Sequence, residues 1–332
     1  MTVDSSVTPV TPRPRTTVGG ALQIQLAVLT ALAGGVLAAG SYLGHAGLLV
    51  TIALVQALLI GSWVVGSAVP GRIGALVLGG LASAAADAAT THWHDSGYSP
   101  VLGVLGLAIP LMFIHQLCRG VVRTRVVESL ADITVMLVGV IALAGLIVLR
   151  RQSNGDILTP AVLGAIAAGL VAAHLTDAVY PAPRFDPAVD RGLPAVVVGV
   201  LVGAVVGLLG LRRVIDFAGG RGAFVGAAIA AVACLLSICA AFSGVHSSLS
   251  ALGAPVAEPI VDGVAAEDAV AAGSVTGGAP SGGSVTGEPP VALQPVGELT
   301  GRAAQLRPVA AVLMTLALST PAAYVLVNAL SG

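Results

Sequence analysis

Residues 160–211 decide the fold, and they read PAVLGAIAAGLVAAHLTDAVYPAPRFDPAVDRGLPAVVVGVLVGAVVGLLGL. Two apolar segments flank a short polar segment at 178–192. Each apolar segment has about the 20-residue length that an α-helix needs to cross a bilayer. The stretch therefore predicts two membrane-spanning helices joined by a polar loop. The end of the first helix and the loop hold the ionisable residues His174, Asp177, Arg184, Asp186, Asp190 and Arg191.

The composition extends this interpretation to the whole chain. Hydrophobic residues make up 56% and charged residues 9% of the 332 residues, whereas soluble domains carry roughly 25% charged residues. The apolar runs are continuous rather than alternating, so they predict helices and exclude a transmembrane β-barrel. We therefore expect an all-α polytopic membrane protein of about nine helices, over 21–40, 47–66, 73–91, 99–118, 130–149, 160–177, 193–211, 223–244 and 308–330.

Composition also divides the chain into four regions. A polar tail at 1–20 precedes helices one to eight at 21–244. Residues 245–307 are rich in Gly, Pro, Ser and Thr, and the sequence GSVTG occurs twice among them. This bias predicts a low-complexity, disordered linker. The last helix then lies within 308–332.

The basic residues predict the orientation, because cytoplasmic loops carry an excess of Lys and Arg. All 15 basic residues are arginines, and about two thirds of them fall in the tail and in the loops on its side of the membrane. We therefore expect a cytoplasmic N-terminus and a cytoplasmic central loop, with Arg212, Arg213 and Arg221 as exceptions. The abundance of Gly, Ala and Val is an actinobacterial-type composition, so we expect a bacterial inner membrane. Small residues also favour close helix packing.

His174 and Asp177 are three residues apart and so share one face of the sixth predicted helix. Ionisable residues in a bilayer usually face the bundle interior and mark a site. A proton relay, a cation site and a lipid-phosphate site all fit this pair. Alternatively, Asp177 is solvated at the membrane surface and His174 forms a hydrogen bond with a neighbouring helix.

A second group of polar residues follows the third predicted helix. His92, His94 and Asp95, with Asp87 before them, are of the types that bind zinc or copper. The alternative is that Trp93 anchors the chain at the interface and its polar neighbours are simply hydrated. No nucleotide-binding or hydrolase motif occurs in the chain, and no pattern indicates nucleic acid.

Short motifs at the central loop and in the last helix carry a family resemblance. The run at 175–180 reads LTDAVY, and the last helix contains LALSTPAAY at 316–324. In the order of its helices and in these runs, the chain resembles the phosphatidate cytidylyltransferase family, the CDP-diacylglycerol synthases. In that family the corresponding helix ends in S-D-T-G-A/G-Y, so Asp177 and Tyr180 match in spacing, and Pro187 stands at the proline of the following loop. The resemblance implies a cytidylyltransferase-like helix arrangement and metal-dependent chemistry on the cytoplasmic side.

The chain departs from the family at the charged motifs. The family's loop lysines are absent, because the chain has no lysine. Residues 235–243 read LLSICAAFS where the family has G-D-x-x-E-S-x-x-K-R, and only Arg302 and Arg307 stand near the place of H-G-G-x-x-D-R. Cytidylyl transfer requires a triphosphate to be neutralised by metal and fixed cations. The chain is therefore similar to a degenerate member that lacks most catalytic motifs, a pseudoenzyme.

These observations lead to one functional hypothesis and two alternatives. We expect a non-catalytic protein, without a cofactor, that binds a phospholipid head group or a membrane protein partner in envelope or lipid metabolism. The candidate ligand-binding residues are His174, Asp177, Tyr180, Arg184, Asp186, Asp190 and Arg191. The first alternative is an enzyme with altered or residual activity that holds Mg²⁺ on Asp177, Asp186 and Asp190. The second is a small-solute transporter that uses His174 and Asp177 as coupling residues.

Overall fold

The computed structural model describes residues 17–67, 71–93, 96–118, 126–186, 189–212, 214, 220–251 and 296–331. Within them the chain forms ten helices and one β-hairpin. The helices are α1 (Thr17–Tyr42), α2 (Gly44–Gly66), α3 (Arg72–His92), α4 (Ser99–Leu117), α5 (Val126–Leu143), α6 (Gly145–Arg150), α7 (Gly155–Val179), α8 (Leu193–Leu211), α9 (Arg221–Ala251) and α10 (Val296–Ser331). The strands are β1 (Arg184–Asp186) and β2 (Val189–Gly192).

Nine helical segments in this part of the chain are long and apolar enough to cross a membrane, with α5 and α6 together forming one of them. The prediction of an all-α, multi-pass membrane protein is therefore confirmed. Helices α9 and α10 extend into the predicted linker, the first to Ala251 and the second from Val296. The rest of that linker and most of the predicted N-terminal tail lie outside the described residues.

The predicted fifth helix is broken at Ala144, between α5 and α6. The break coincides with a close approach by Tyr98, which precedes α4. A Cβ atom on Gly145 would lie 2.7 Å from the ring and from the hydroxyl oxygen of Tyr98. The Tyr98 ring in turn packs on that of Tyr324 in α10, with 5.0 Å between the centroids. Only glycine leaves room for the tyrosine, so this contact fixes where α6 begins.

Helices α7, α8 and α9 pack through a stripe of glycines. The buried face of α8 includes Gly199, Gly203 and Gly207, at a spacing of four residues. A Cβ atom on Gly203 would lie 2.8 Å from the carbonyl oxygen of Gly226 in α9. One on Gly199 would lie 2.8 Å from the carbonyl oxygen of Gly169 in α7. Backbone contact of this kind is typical of membrane helices, which gain little from hydrophobic association.

Helix α1 runs antiparallel to α7, and this places the hairpin. A Cβ atom on Gly20, near the start of α1, would lie 3.7 Å from the carbonyl oxygen of Ala178, near the end of α7. At the other end, Tyr42 and Pro160 line one cleft. The hairpin between α7 and α8 therefore lies at the end of the bundle where α1 begins, which we call the hairpin end.

Candidate functional site at the hairpin end

The polar segment between α7 and α8 is a short antiparallel hairpin rather than an irregular loop. Arg184 pairs with Gly192, and Asp186 pairs with Val189. Helix α7 ends where the amide of Tyr180 donates to the carbonyl oxygen of Thr176 at 2.6 Å. The hairpin leads directly into α8, so its second strand is fixed by the helix that follows.

Asp177 and Arg191 form a buried ion pair beneath this hairpin. Nη1 of Arg191 donates to Oδ2 of Asp177 at 3.0 Å, and the backbone amide of Gly192 donates to Oδ1 at 2.9 Å. The exposed fractions of the two side chains are 6% for Arg191 and 0% for Asp177. Both carboxylate oxygens therefore accept hydrogen bonds from β2, and they attach the strand to the end of α7.

The second terminal nitrogen of Arg191 extends the cluster to two more helices. Nη2 donates to Oγ of Ser237 in α9 and lies 3.3 Å from Nε2 of His174. Nδ1 of His174 lies 2.8 Å from Oε1 of Gln23 in α1. Because a guanidinium only donates, Nε2 must be the acceptor. The proton of the neutral imidazole is then on Nδ1, which donates to the amide oxygen of Gln23.

This cluster is well suited to hold the hairpin in place. It joins α1, α7, α9 and β2. Asp177, His174 and Ser237 contact Arg191, and Gln23 contacts His174. A ligand that took up Arg191 or Asp177 would leave the other charge unpaired inside the protein. Removal of one partner of a buried ion pair typically costs about 3–5 kcal/mol. The arrangement therefore favours a structural role for Asp177 and Arg191 over an open binding site.

The structure brings together three of the seven predicted site residues, His174, Asp177 and Arg191. Of the two alternatives considered for the helical pair, His174 does bond to a neighbouring helix, whereas Asp177 is buried rather than solvated at the surface. Tyr180 and Arg184 are exposed. Asp186 and Asp190 lie in the two strands, and their side chains are outside the described part of the structure.

Of the three predicted Mg²⁺ ligands, only Asp177 has a described side chain. Among the described side chains, no group of three or more His, Cys, Asp or Glu residues is placed to hold a metal ion. His94 and Asp95 of the second sequence candidate lie outside the described residues. A Mg²⁺ site made by Asp177 with Asp186 and Asp190 therefore stays a prediction, and the metal would share the Asp177 carboxylate with Arg191 and Gly192.

Sequence reasoning missed Gln23 and Ser237. Ser237 lies within 235–243, the stretch that carries no charge where the resembled family has several charged residues. Its hydroxyl accepts from Arg191. The signal available was that each is a polar residue in a mostly apolar segment. Neither the charge pattern nor the spacing indicates which distant segment such a residue will contact.

Several exposed side chains at the hairpin end are apolar or aromatic, and one exposed residue of the hairpin itself is an arginine. Tyr180 is 68% exposed and Phe185 is 49% exposed, and Arg184 lies next to Phe185 in β1. Val179 and Leu193, on either side of the hairpin, are also exposed. We call Val179, Tyr180, Arg184, Phe185 and Leu193 the hairpin face. Aromatic side chains beside arginine are typical of the membrane interface, where one part of a side chain meets lipid and another meets water.

Charged residues at the places of the resembled family's motifs have structural partners. Asp177 is bound to Arg191, and Nε of Arg307 donates at 3.1 Å to the carbonyl oxygen of Gly66, which ends α2. In this way Arg307 satisfies a helix C-terminus.

Comparison of the chain with protein-family models, with curated proteins and with solved structures gives no match.

Proposed function

We propose that the chain is a non-catalytic membrane protein that binds anionic phospholipid head groups through the hairpin face. The observation that carries this proposal is the buried pair of Asp177 and Arg191 beneath the hairpin. Because these charges satisfy each other, they fix the hairpin, on which the Arg184 side chain is exposed to the surroundings. This proposal includes a bacterial inner membrane, a cytoplasmic N-terminus and a cytidylyltransferase-like helix arrangement.

The chemistry of the hairpin face suits a phosphate at a membrane surface. A guanidinium binds phosphate oxygens through two parallel N–H groups. The aromatic rings of Tyr180 and Phe185 favour the head-group region. In the proposed orientation the hairpin face meets the cytoplasmic leaflet, which carries most of the anionic lipid. A basic residue there contributes about 1 kcal/mol of attraction.

Lipid titration followed by native mass spectrometry tests the proposal. The protein in mild detergent is titrated with phosphatidic acid, and the occupancy of bound lipid is compared with that of Arg184→Ala. We expect the variant to bind about tenfold more weakly, because a hydrogen bond to a charged group contributes about 1.5–3 kcal/mol. Arg72→Ala is the matched control, because Arg72 is an exposed arginine at the hairpin end but outside the hairpin face. Equal losses in the two variants, or no loss in Arg184→Ala, would contradict the proposal.

In the enzyme alternative, Asp177 would bind a metal ion instead of serving only to hold the hairpin. A Mg²⁺-dependent transfer would need Asp177 as a metal ligand, and its two oxygens now accept from Arg191 and Gly192. A metal ion would therefore have to share this carboxylate with Arg191 and Gly192, beside the positive charge of the arginine. A protein partner is the other alternative occupant of the hairpin face, and in that case phosphatidic acid would bind the wild type and Arg184→Ala equally.

A further inference from the structure

A second polar cluster lies among α2, α3 and α5, apart from the hairpin end. Its centre is Gln56 of α2, whose side chain is fully buried. Nε2 of Gln56 donates to Oδ1 of Asp87 in α3 at 3.1 Å and to the carbonyl oxygen of Val140 in α5 at 2.9 Å. Oγ of Ser83 donates to Oε1 of Gln56 at 2.8 Å. Three helices thus meet at one amide and one carboxyl group.

The hydrogen bonds show which carboxyl oxygen of Asp87 is available to carry a proton. Both N–H groups of the Gln56 amide have acceptors and its oxygen has a donor, so the amide cannot turn over without loss of bonds. Oδ1 of Asp87 is therefore an acceptor. Among the described residues Oδ2 has no hydrogen-bond partner, and no cationic side chain lies within ion-pair distance of Asp87. Asp177, by contrast, forms an ion pair with Arg191.

The depth of this cluster makes an unpaired carboxylate costly. Asp87 lies five residues before His92, the end of α3, which is about 7–8 Å along the helix. Gln56 lies twelve residues after Gly44, the start of α2, which is about 18 Å. Both positions fall within a hydrocarbon core of about 30 Å. Ionisable side chains at such depth are rare and usually functional.

The charged and titratable groups on the helices around α3 make no contact with the Asp87 carboxyl among the described residues. Arg151 donates to the carbonyl oxygens of Thr90 and Thr91, and its Nη2 lies 3.4 Å from Nε2 of His45. His115 of α4 lies beside Gly74, near the opposite end of α3. None of the described groups forms an ion pair or a side-chain hydrogen bond with the Asp87 carboxyl, whether on α3 itself or on the helices packed against it: Arg72, His92, His45, His115, Glu128, Asp132, Arg150 and Arg151.

We propose that Asp87 is a membrane-embedded proton-binding site, with Oδ2 as the atom that carries the proton. The bound proton neutralises the carboxyl group within the membrane. Gln56 donates to the other carboxyl oxygen, and Ser83 in turn donates to Gln56. The site binds and releases the proton reversibly as pH changes. It is separate from the hairpin face and adds a protonatable group to a protein proposed above only to bind lipid.

Modification with dicyclohexylcarbodiimide, an apolar reagent for carboxylic acids, tests this site. The protonated carboxyl adds across a C=N bond of the reagent, its proton passes to nitrogen, and the adduct rearranges to a stable N-acylurea. Asp87 is only half-buried, so the reagent has access from the lipid. We expect Asp87 of the full chain in liposomes to be labelled at about pH 5.5. At about pH 8.5 we expect at least about tenfold less labelling, as the proton is released. Peptide mass spectrometry locates the adduct.

Two controls and a test for sodium binding make the outcome decisive. Asp177, buried and paired with Arg191, should remain unlabelled at both pH values in the same sample, and Asp87→Asn should remove the adduct. Replacement of choline chloride by NaCl at constant pH should not protect Asp87. Protection by sodium would show a sodium site instead of a proton site and would overturn the proposal. So would labelling of Asp87 that does not change with pH, or the absence of labelling.

Discussion

Asp177 and Asp87 show two ways in which this chain places a carboxyl group inside the bundle. Asp177 is neutralised by Arg191 and held by a backbone amide. Asp87 has the amide of Gln56 in place of a cation. An ion pair of the first kind specifies the position of a segment, because both partners must be present for the charges to be satisfied. The two acids should therefore respond differently to substitution.

Asp177→Asn should strongly destabilise the protein. The substitution leaves the Arg191 charge buried without its counter-ion, and the expected loss is about 3–5 kcal/mol of unfolding free energy. Thermal unfolding in detergent, followed by intrinsic fluorescence, measures it. Arg184→Gln serves as the control, because Arg184 is exposed and its replacement should shift the midpoint little. An unchanged midpoint for Asp177→Asn would show that the ion pair does not hold the hairpin.

Part of this cluster was predictable from the sequence. His174 and Asp177 share a helix face because of their spacing, and they do point into the bundle. Arg191 was a candidate only because of its charge. Its contact with Asp177 depends on a hairpin that reverses the chain between them. Gln23 and Ser237 come from segments far away in the sequence, and a neutral polar residue in an apolar helix does not indicate its partner.

At the scale of the element, the glycine stripe of α8 positions the hairpin by fixing α8 between α7 and α9. Gly203→Ala would place its Cβ against Ala230 and the carbonyl oxygen of Gly226. The helices would have to separate, at an expected cost of about 1–3 kcal/mol. The thermal midpoint in detergent should fall accordingly.

Gly106→Ala is the matched control for this substitution. A Cβ atom on Gly106 of α4 would have no atom within 4 Å. Alanine favours a helix over glycine by up to about 1 kcal/mol, so this variant should be unchanged or more stable. Equal effects in the two variants would mean that α8 does not pack through its glycines.

Sequence patterns predicted the positions of the membrane-spanning helices better than the break within one of them. An apolar run over 130–149 predicted one helix, whereas the structure has a break at Ala144. The break depends on Tyr98, which approaches Gly145 from another part of the chain. The hairpin was also missed, because its strands span only 3 and 4 residues and prolines flank the first of them.

At the scale of the whole molecule, the nine predicted spans agree with the nine segments found in the described part of the chain. This agreement is expected, because the length of an apolar run alone decides whether a helix can span the hydrocarbon core. Which side each end faces is a separate question. It depends on the distribution of arginines, and many of these lie outside the described residues.

Cysteine labelling should place the hairpin in the cytoplasm. Ala182 and Ser96 are both exposed and lie at opposite ends of the bundle. The experiment introduces Ala182→Cys or Ser96→Cys into a chain whose three native cysteines, Cys118, Cys234 and Cys239, have been replaced. A membrane-impermeant maleimide applied to intact cells should label position 96 and not position 182. The reverse pattern would show that the hairpin faces outward.

We propose that the charges at the hairpin end support a lipid-binding surface and carry out no transfer chemistry. This proposal is tested by incubation of the protein in lipid nanodiscs with phosphatidic acid, Mg²⁺ and CTP radiolabelled in the cytidine. We expect phosphatidic acid to remain bound and no labelled CDP-diacylglycerol to form. Loss of a single donor that stabilises a developing negative charge costs roughly 10²–10³ in rate. This chain has none of the resembled family's lysines, and its Asp177 is already paired with Arg191. Formation of Mg²⁺-dependent labelled lipid by the wild-type protein would show that the hairpin end carries out transfer chemistry.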